Sequence, residues 1–279
     1  MYGVRIDNIR LYEILFSYGT SFKHYESIFH LLKKNDYYNA LLCPMGGVNT
    51  RDIDWSSINR LFQSDVNIDC TSIDYKGQTT PFFGTKDRYC LPDQYSLNFT
   101  YDKLRKECAT PFSLFFCTMN SHIPYQSPLQ TAKNWKDLNS PEFKYETTTD
   151  NNAKIKQRYL ASIKYQLETA FDFILGNKDD DLVVVMFGDH QPPLITNEKF
   201  GLETPVHVIS KQTRFNDVFE SNGFVSGFDL AEQHTFLKHE GFMSVFANAY
   251  QQAYGQDPKV HFPILPDGND MFKDIGLDT

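Results

Sequence analysis

Long apolar runs are missing from this chain. No stretch reaches the ~18 residues that cross a bilayer, and the opening Met1-Tyr-Gly-Val-Arg-Ile6 lacks the apolar region of a secretory signal peptide. The chain as given is therefore expected to be soluble, with no membrane span. Positive charge is also short: 27 Lys and Arg stand against 35 Asp and Glu, a formal charge of -8. The basic residues gather in no long run, which argues against a nucleic-acid backbone as the main partner. An anionic substrate would need local positive charge or a metal ion. Cysteine is sparse, with Cys43, Cys70, Cys90, Cys108 and Cys117 in no C-x-x-C spacing, so a zinc ribbon or thioredoxin-type motif is not expected. An odd number leaves at least one thiol unpaired within a monomer. Cys117 lies in the apolar run Leu114-Phe-Phe-Cys-Thr118 and is expected to be a small buried residue. Cys70, Cys90 and Cys108 fall in loop-like surroundings where an oxidising compartment would permit a disulfide, with connectivity left open.

What the chain does have is aromatic residues, at 15%, and one stretch around which the rest is organised. Asp181-Leu-Val-Val-Val-Met-Phe-Gly-Asp-His-Gln-Pro-Pro193 holds six consecutive apolar residues, Leu182 to Phe187. They are too few for a typical helix and polar on neither face, which predicts an interior parallel strand buried on both sides. Gly188 permits a sharp bend, and the two prolines forbid continuation as helix or sheet. Asp189 and His190 then sit just beyond a strand's carboxyl end, where open α/β sheets hold ligands. The plainer reading is a tight turn with a capping Asp and a solvated His.

The remaining elements alternate. Tyr25, Ile28, Phe29 and Leu32 repeat at helical spacing with Lys33 and Lys34 at the end, and Tyr38 to Cys43 reads as a strand. Met45 to Arg51 is then a glycine-bearing loop at that strand's end, where Arg51 could fork onto an anion or simply be solvated. Residues 54–93 read as an irregular covering segment. A helix is predicted over Tyr95 to Lys106 and a second strong strand over Phe112 to Thr118. Its continuation, Met119-Asn-Ser-His-Ile-Pro-Tyr125, delivers His122 to the same rim as Asp189 and His190 if the strands are parallel. Ala153 to Ile174 is the clearest helix, with Leu160, Ile163, Leu167, Phe171 and Ile174 marking one face. Pro205 to Ser210 is another strand, in which His207 is read as packed rather than as a ligand. The last helix starts near His239, and the tail 256–279 is a trailing loop.

Asp and His at one strand end are oxygen and nitrogen donors suited to zinc or manganese, and a divalent ion there would polarise a phosphoryl or sulfuryl oxygen. His122 could hold or protonate a leaving oxygen. The pattern leans toward cleavage or transfer of a phosphate or sulfate ester.

Leu42-Cys-Pro44 through Arg51, Thr118-Met-Asn-Ser-His-Ile-Pro-Tyr125, Tyr159 to Ile174 and Val183 to Pro193, in that order, resemble the sulfatase-like branch of the alkaline phosphatase superfamily, near the lipoteichoic acid synthases and phosphoglycerol transferases. The resemblance implies a three-layer α/β/α sandwich with a mainly parallel central sheet. It also implies one or two divalent ions (Mn, Zn, Mg or Ca) and a phosphate- or sulfate-ester substrate, glycan- or lipid-linked, on the extracytoplasmic face of a bacterial membrane. Carried over by position, Asp189 and His190 match metal ligands, His122 matches a His of the substrate pocket, and Arg51 is a weaker match to a substrate-binding Arg. His239 stands where some relatives place a further metal ligand. The family's first strand carries an acidic ligand followed by a Thr, Ser or modified Cys nucleophile, whereas Arg5-Ile-Asp-Asn-Ile9 offers only Asp7 or Asn8. The expectation is thus a single sulfatase-like domain over 1–279, N-terminally incomplete. The alternative is a catalytically silent relative that binds glycans or anions or serves as a structural module.

Overall fold

A computed structural model describes residues 26–46, 59, 62–82, 85–147, 155–192, 195–196, 201, 203–227, 236–257 and 259–269. Tyr12 to Tyr18, Asp7, Asn8 and Arg51 lie outside the described residues. Contacts divide the chain into two compact units, Lys33–Lys178 and the combination of Met1–Leu32 with Asp179–Thr279. The short helix α1, Ile28–Lys34, buries Phe29 and Leu32 and ends in Lys33 and Lys34, as its spacing predicts.

The unit Lys33–Lys178 is built on a parallel sheet. Strand β1 (Tyr38–Leu42) is its centre. It is paired in parallel with β3 (Val66–Ile68) on one side and β6 (Phe112–Phe116) on the other. A second, antiparallel sheet joins β2 (Met45–Gly46), β5 (Thr85–Cys90) and β4 (Thr80–Phe82). Residues 54–93 are therefore not an irregular cover. They supply an edge strand of the parallel sheet and two strands of the antiparallel one. Their alternation was invisible because β3 has 3 residues and β5, Thr-Lys-Asp-Arg-Tyr-Cys, is mostly polar.

Helix α2 (Asp93–Glu107) packs on β1, β6 and helix α3 (Ile155–Gly176). Between them Leu42, Ile68, Ile73, Leu91, Tyr95 and Leu138 form the core. Tyr95 also meets Tyr75, Phe99 and Trp135, at ring-centroid distances of 4.9, 5.6 and 5.4 Å. Each such side chain removed from water contributes ~1.5–3 kcal/mol. Helix α3 has the predicted extent but not the predicted buried face. Leu160 is 65% exposed, while Arg158, Ser162, Tyr165 and Thr169 are buried. Tyr165 Oη accepts from the backbone N–H of Gln94 at 3.3 Å, and Ser127 Oγ donates to Ser162 Oγ at 3.2 Å, so hydrogen bonds organise this face.

In the other unit β7 (Val183–Phe187) pairs antiparallel with β8 (Val206–Ser210), with Met186 opposite His207. This corrects the expected interior parallel strand. β7 is half-buried and Phe187 is 41% exposed. A short apolar run specifies a strand but not its partner's direction. Helix α4 (Thr213–Ser221) buries Phe215, Val218 and Phe219 against helix α5 (His239–Tyr254). Phe215 and Phe246 meet edge to face at 5.7 Å. The segment after α5 is no loose trailer where it is described. Asn248 Nδ2 donates to the Phe262 carbonyl at 2.9 Å, its Oδ1 accepts from the Phe262 N–H at 2.8 Å, and Ser244 Oγ accepts from the Leu265 N–H at 2.9 Å.

Candidate active site

Each described candidate residue follows a strand's carboxyl end or begins a helix, and the two units hold different ones. In Lys33–Lys178, β6 runs out through Cys117 into a tight turn. His122 N donates to the Met119 carbonyl at 3.1 Å, and Tyr125 N donates to the His122 carbonyl at 2.7 Å. The Ile123–Pro124 bond is cis. His122 Nδ1 lies 2.8 Å from the Ile123 carbonyl oxygen. A carbonyl can only accept, so Nδ1 carries the proton and the neutral ring's lone pair is on Nε2.

The turn is held from beneath by Asp93, the first residue of α2 and fully buried. Its carboxylate accepts from the Met119 N–H at 3.0 and 3.1 Å, from the Asn120 N–H at 2.7 Å and from the Gln166 amide. Asp93 N in turn donates to Asn120 Oδ1 at 2.8 Å, and Asn120 Nδ2 donates to Thr80 Oγ1 at 3.0 Å. Burial raises the Asp93 carboxyl to about 6, against the lowering effect of the Asn120 N–H, the Gln166 amide and the Met119 N–H. Sequence reading missed Asp93 and Asn120. The only signal was Leu91-Pro-Asp93, a proline before a first-turn acid, which marks a helix start and nothing more.

In the other unit, Gly188 extends β7 by one hydrogen bond to the Pro205 carbonyl, 3.3 Å long. The chain then turns through Asp189 and His190. Asp189 Oδ1 accepts from the His190 N–H at 3.0 Å, and Asp189 Oδ2 lies 3.5 Å from His190 Nε2. His190 Nδ1 is 2.8 Å from the Gln191 carbonyl oxygen, which again places a proton on Nδ1 and leaves Nε2 as the ring nitrogen facing the carboxylate. A backbone carbonyl behind the distal nitrogen is how metal-binding imidazoles are oriented. Both side chains are open to solvent, at 82% for Asp189 and 62% for His190. His239, the first residue of α5, comes toward this turn through Thr204. Its Nε2 is 3.5 Å from Thr204 Oγ1, and a Cβ built on Gly188 would stand 3.2 Å from Thr204 Cβ.

Among the described residues no three His, Cys, Asp or Glu side chains gather as a metal would need. Asp189 and His190 thus fit a divalent ion as two adjacent donors, one oxygen and one nitrogen, but do not complete its shell. His122 belongs to the other unit, and β6 and β7 belong to separate sheets among the described pairings.

The sulfatase family profile matches residues 16–216. The chain belongs to the sulfatase family. The matched span includes His122, Asp189 and His190, whereas His239 lies beyond it. In this family metal dependence is general, which agrees with the donor chemistry at Asp189 and His190. The parallel sheet flanked by helices is the sulfatase-like α/β fold. The chain is also similar to the lipoteichoic acid synthase-like YvgJ of Bacillus subtilis (strain 168), 28% identical over 173 residues that make up 60% of this chain and 24% of that protein. The chain thus spans about a quarter of that relative's length. No solved structure matches. Among the described residues no helix is long and apolar enough to cross a membrane.

Proposed function

We propose that residues 1–279 form one domain of a metal-dependent hydrolase or transferase acting on phosphate or sulfate esters, with a cell-envelope polymer on the extracytoplasmic face as substrate. In this reading Asp189 and His190 hold the ion, and His239 is the further donor at the start of α5. His122 takes the leaving-group oxygen, and Arg51 binds the ester's remaining charge. The observation that carries the reading is the Asp189–His190 pair. It follows a β-strand inside the family-matched span, with an imidazole nitrogen 3.5 Å from a carboxylate oxygen. The similarity to a lipoteichoic acid synthase-like protein supports an envelope phosphoester over other substrates. The ion would polarise the ester oxygen. The chain's own contribution is to fix the His122 ring through Nδ1 and to seat its turn on Asp93.

The test is hydrolysis of a chromogenic phosphate or sulfate ester by the full-length protein, with and without chelator, beside Asp189→Ala and His122→Ala. The expected result is metal-dependent turnover, abolished by Asp189→Ala and lowered on the order of 10²-fold or more by His122→Ala. Turnover that survives both chelation and Asp189→Ala removes the metal reading. Tight binding of an anionic glycan without turnover would favour the catalytically silent module instead.

A further inference from the structure

Cys43 and Cys117 continue the β1–β6 ladder one residue past its last regular pair. Leu42 stands opposite Phe116 in parallel register, the Cys117 N–H donates to the Leu42 carbonyl at 2.9 Å, and the Cys43 N–H donates to the Ile68 carbonyl at 2.9 Å. The two cysteines are therefore the next partners on the same two strands. Side chains of register partners leave a sheet on the same face, and neighbouring strands lie about 4.8 Å apart. That spacing falls inside the roughly 4.4–6.8 Å window of Cα separations that a disulfide spans. In keeping with that register, the interaction with Cys117 is the largest influence raising the Cys43 thiol. Cys43 is buried, at 9% exposure, and Cys117 is exposed. This corrects the expectation that Cys117 is a small buried residue, because it lies just past β6, a strand only partly buried along its whole length. Two of the three cysteines expected to be available for pairing have other side-chain partners. Cys90 contacts Thr80 Oγ1 at 3.0 Å and Asn120 Nδ2 at 3.3 Å, and Cys70 donates to Tyr89 Oη at 3.7 Å.

We propose that Cys43 and Cys117 form a reversible cross-strand disulfide that ties β1 to β6 at the end carrying the His122 turn. The oxidant is a disulfide, either a small-molecule one or that of a thiol–disulfide oxidoreductase. Exposed Cys117, as its thiolate, attacks one sulfur of the oxidant, forming a mixed disulfide and releasing the first thiol. Cys43 then loses its proton and attacks Cys117 Sγ, expelling the second thiol. Two protein thiols are oxidised, one disulfide is reduced to two thiols, and the two protons end on those thiols. The order of attack follows from access. It agrees with the Cys43 thiol's being pushed well above the ordinary range by its hydrogen bond with Cys117 and by burial.

The bond has a reason to matter at this place. The Cys43 thiol donates to Met119 Sδ at 3.9 Å, and Met119 N is one of the groups that Asp93 holds. Oxidation removes that S–H, so the state of the pair is felt three residues before His122. The inference goes beyond the proposed ester chemistry and does not depend on it.

The test uses the whole chain. The reduced protein is equilibrated with glutathione disulfide at a series of ratios to glutathione, alkylated, digested and mapped by mass spectrometry. The expected result is loss of two of the five thiols, a single linked peptide pair containing Cys43 and Cys117, and a thermal midpoint raised by about 5 °C or more that falls back on reduction. Cys117→Ser alters an exposed side chain and is expected to leave all remaining thiols alkylatable and the midpoint indifferent to oxidant. Cys43→Ala is expected to leave Cys117 as a glutathione adduct. Five alkylatable thiols at every ratio, a bond between any other pair, or loss of two thiols in Cys117→Ser would each overturn the assignment.

Discussion

Asp93 is the residue whose environment makes the sharpest prediction. Its carboxyl is raised from 3.8 to about 6, chiefly by burial. Between these values the folded chain keeps a proton that the unfolded chain has released. The group therefore favours the fold most below about pH 4, and its contribution falls as pH rises through about 6. A rise of that size corresponds to about 3 kcal/mol. Its neighbours do not share the titration. Cys90 is pushed up to about 12 by burial and then by Asp93, and burial and Asp93 also raise Tyr165, so both are neutral over this range. Urea unfolding at several pH values is the measurement. Wild type minus Asp93→Asn should lose about 2 kcal/mol of relative stability between pH 4 and pH 6.5, and a flat difference would show that Asp93 titrates normally. Asp93→Ala should cost about 2–4 kcal/mol at low pH, because the N–H groups of Met119 and Asn120 lose their buried acceptor. At this scale the sequence displayed the site unevenly. Asp189 and His190 are neighbours in the chain and so could be read as a pair. Asp93 and Asn120 are 27 positions apart, and nothing local to either says that they meet.

Among the elements, the ones legible beforehand are those whose pattern is long or dense. α2, α3 and α5 carry helical spacing over several turns, and β1, β6, β7 and β8 are runs of apolar or alternating residues between breakers. β3 and β4 stayed hidden because each has only 3 residues, β5 because it is mostly polar, and α4 because turn-forming glycines follow so closely. The buried face of α3 was misread for another reason. Leu160 and Leu167 repeat at helical spacing, but so do Arg158, Ser162, Tyr165 and Thr169, and the second stripe is the one the unit covers. The segment beyond α5 shows the same substitution of hydrogen bonding for apolar pattern. Asn248, 3% exposed, meets the backbone of Phe262 with both a donor and an acceptor. Asn248→Ala should therefore cost about 2–3 kcal/mol, and hydrogen exchange should speed up along 259–269 while α4 stays protected. Asn248→Asp retains the acceptor and loses the donor, so it should release the segment too. Unchanged exchange in both variants would mean that Ser244 and the Lys238–Asp267 ion pair suffice to hold it.

For the whole molecule the family match and the contact pattern make different divisions. The sulfatase profile runs through residues 16–216, whereas the compact units change over at Lys178 and Asp179. The candidate residues inherit that boundary, His122 on one side of it and Asp189, His190 and His239 on the other. The organisation proposed above is that the chain behaves as one domain. Unfolding distinguishes the cases, since a cooperative domain loses all its structure in one step. At ~0.7 kcal/mol per residue, 279 residues correspond to roughly 200 kcal/mol near 60 °C. Scanning calorimetry should show one transition of about that size, with equal calorimetric and van't Hoff enthalpies. Asn248→Ala, in the unit that holds Asp189, adds the decisive comparison. If the domain is single, the substitution lowers the one midpoint, and the near-ultraviolet signal of Trp135, in the unit that holds His122, is lost at the same lowered temperature. If the units melt independently, the Trp135 transition stays where it was and only the second transition moves, and the single-domain organisation is overturned.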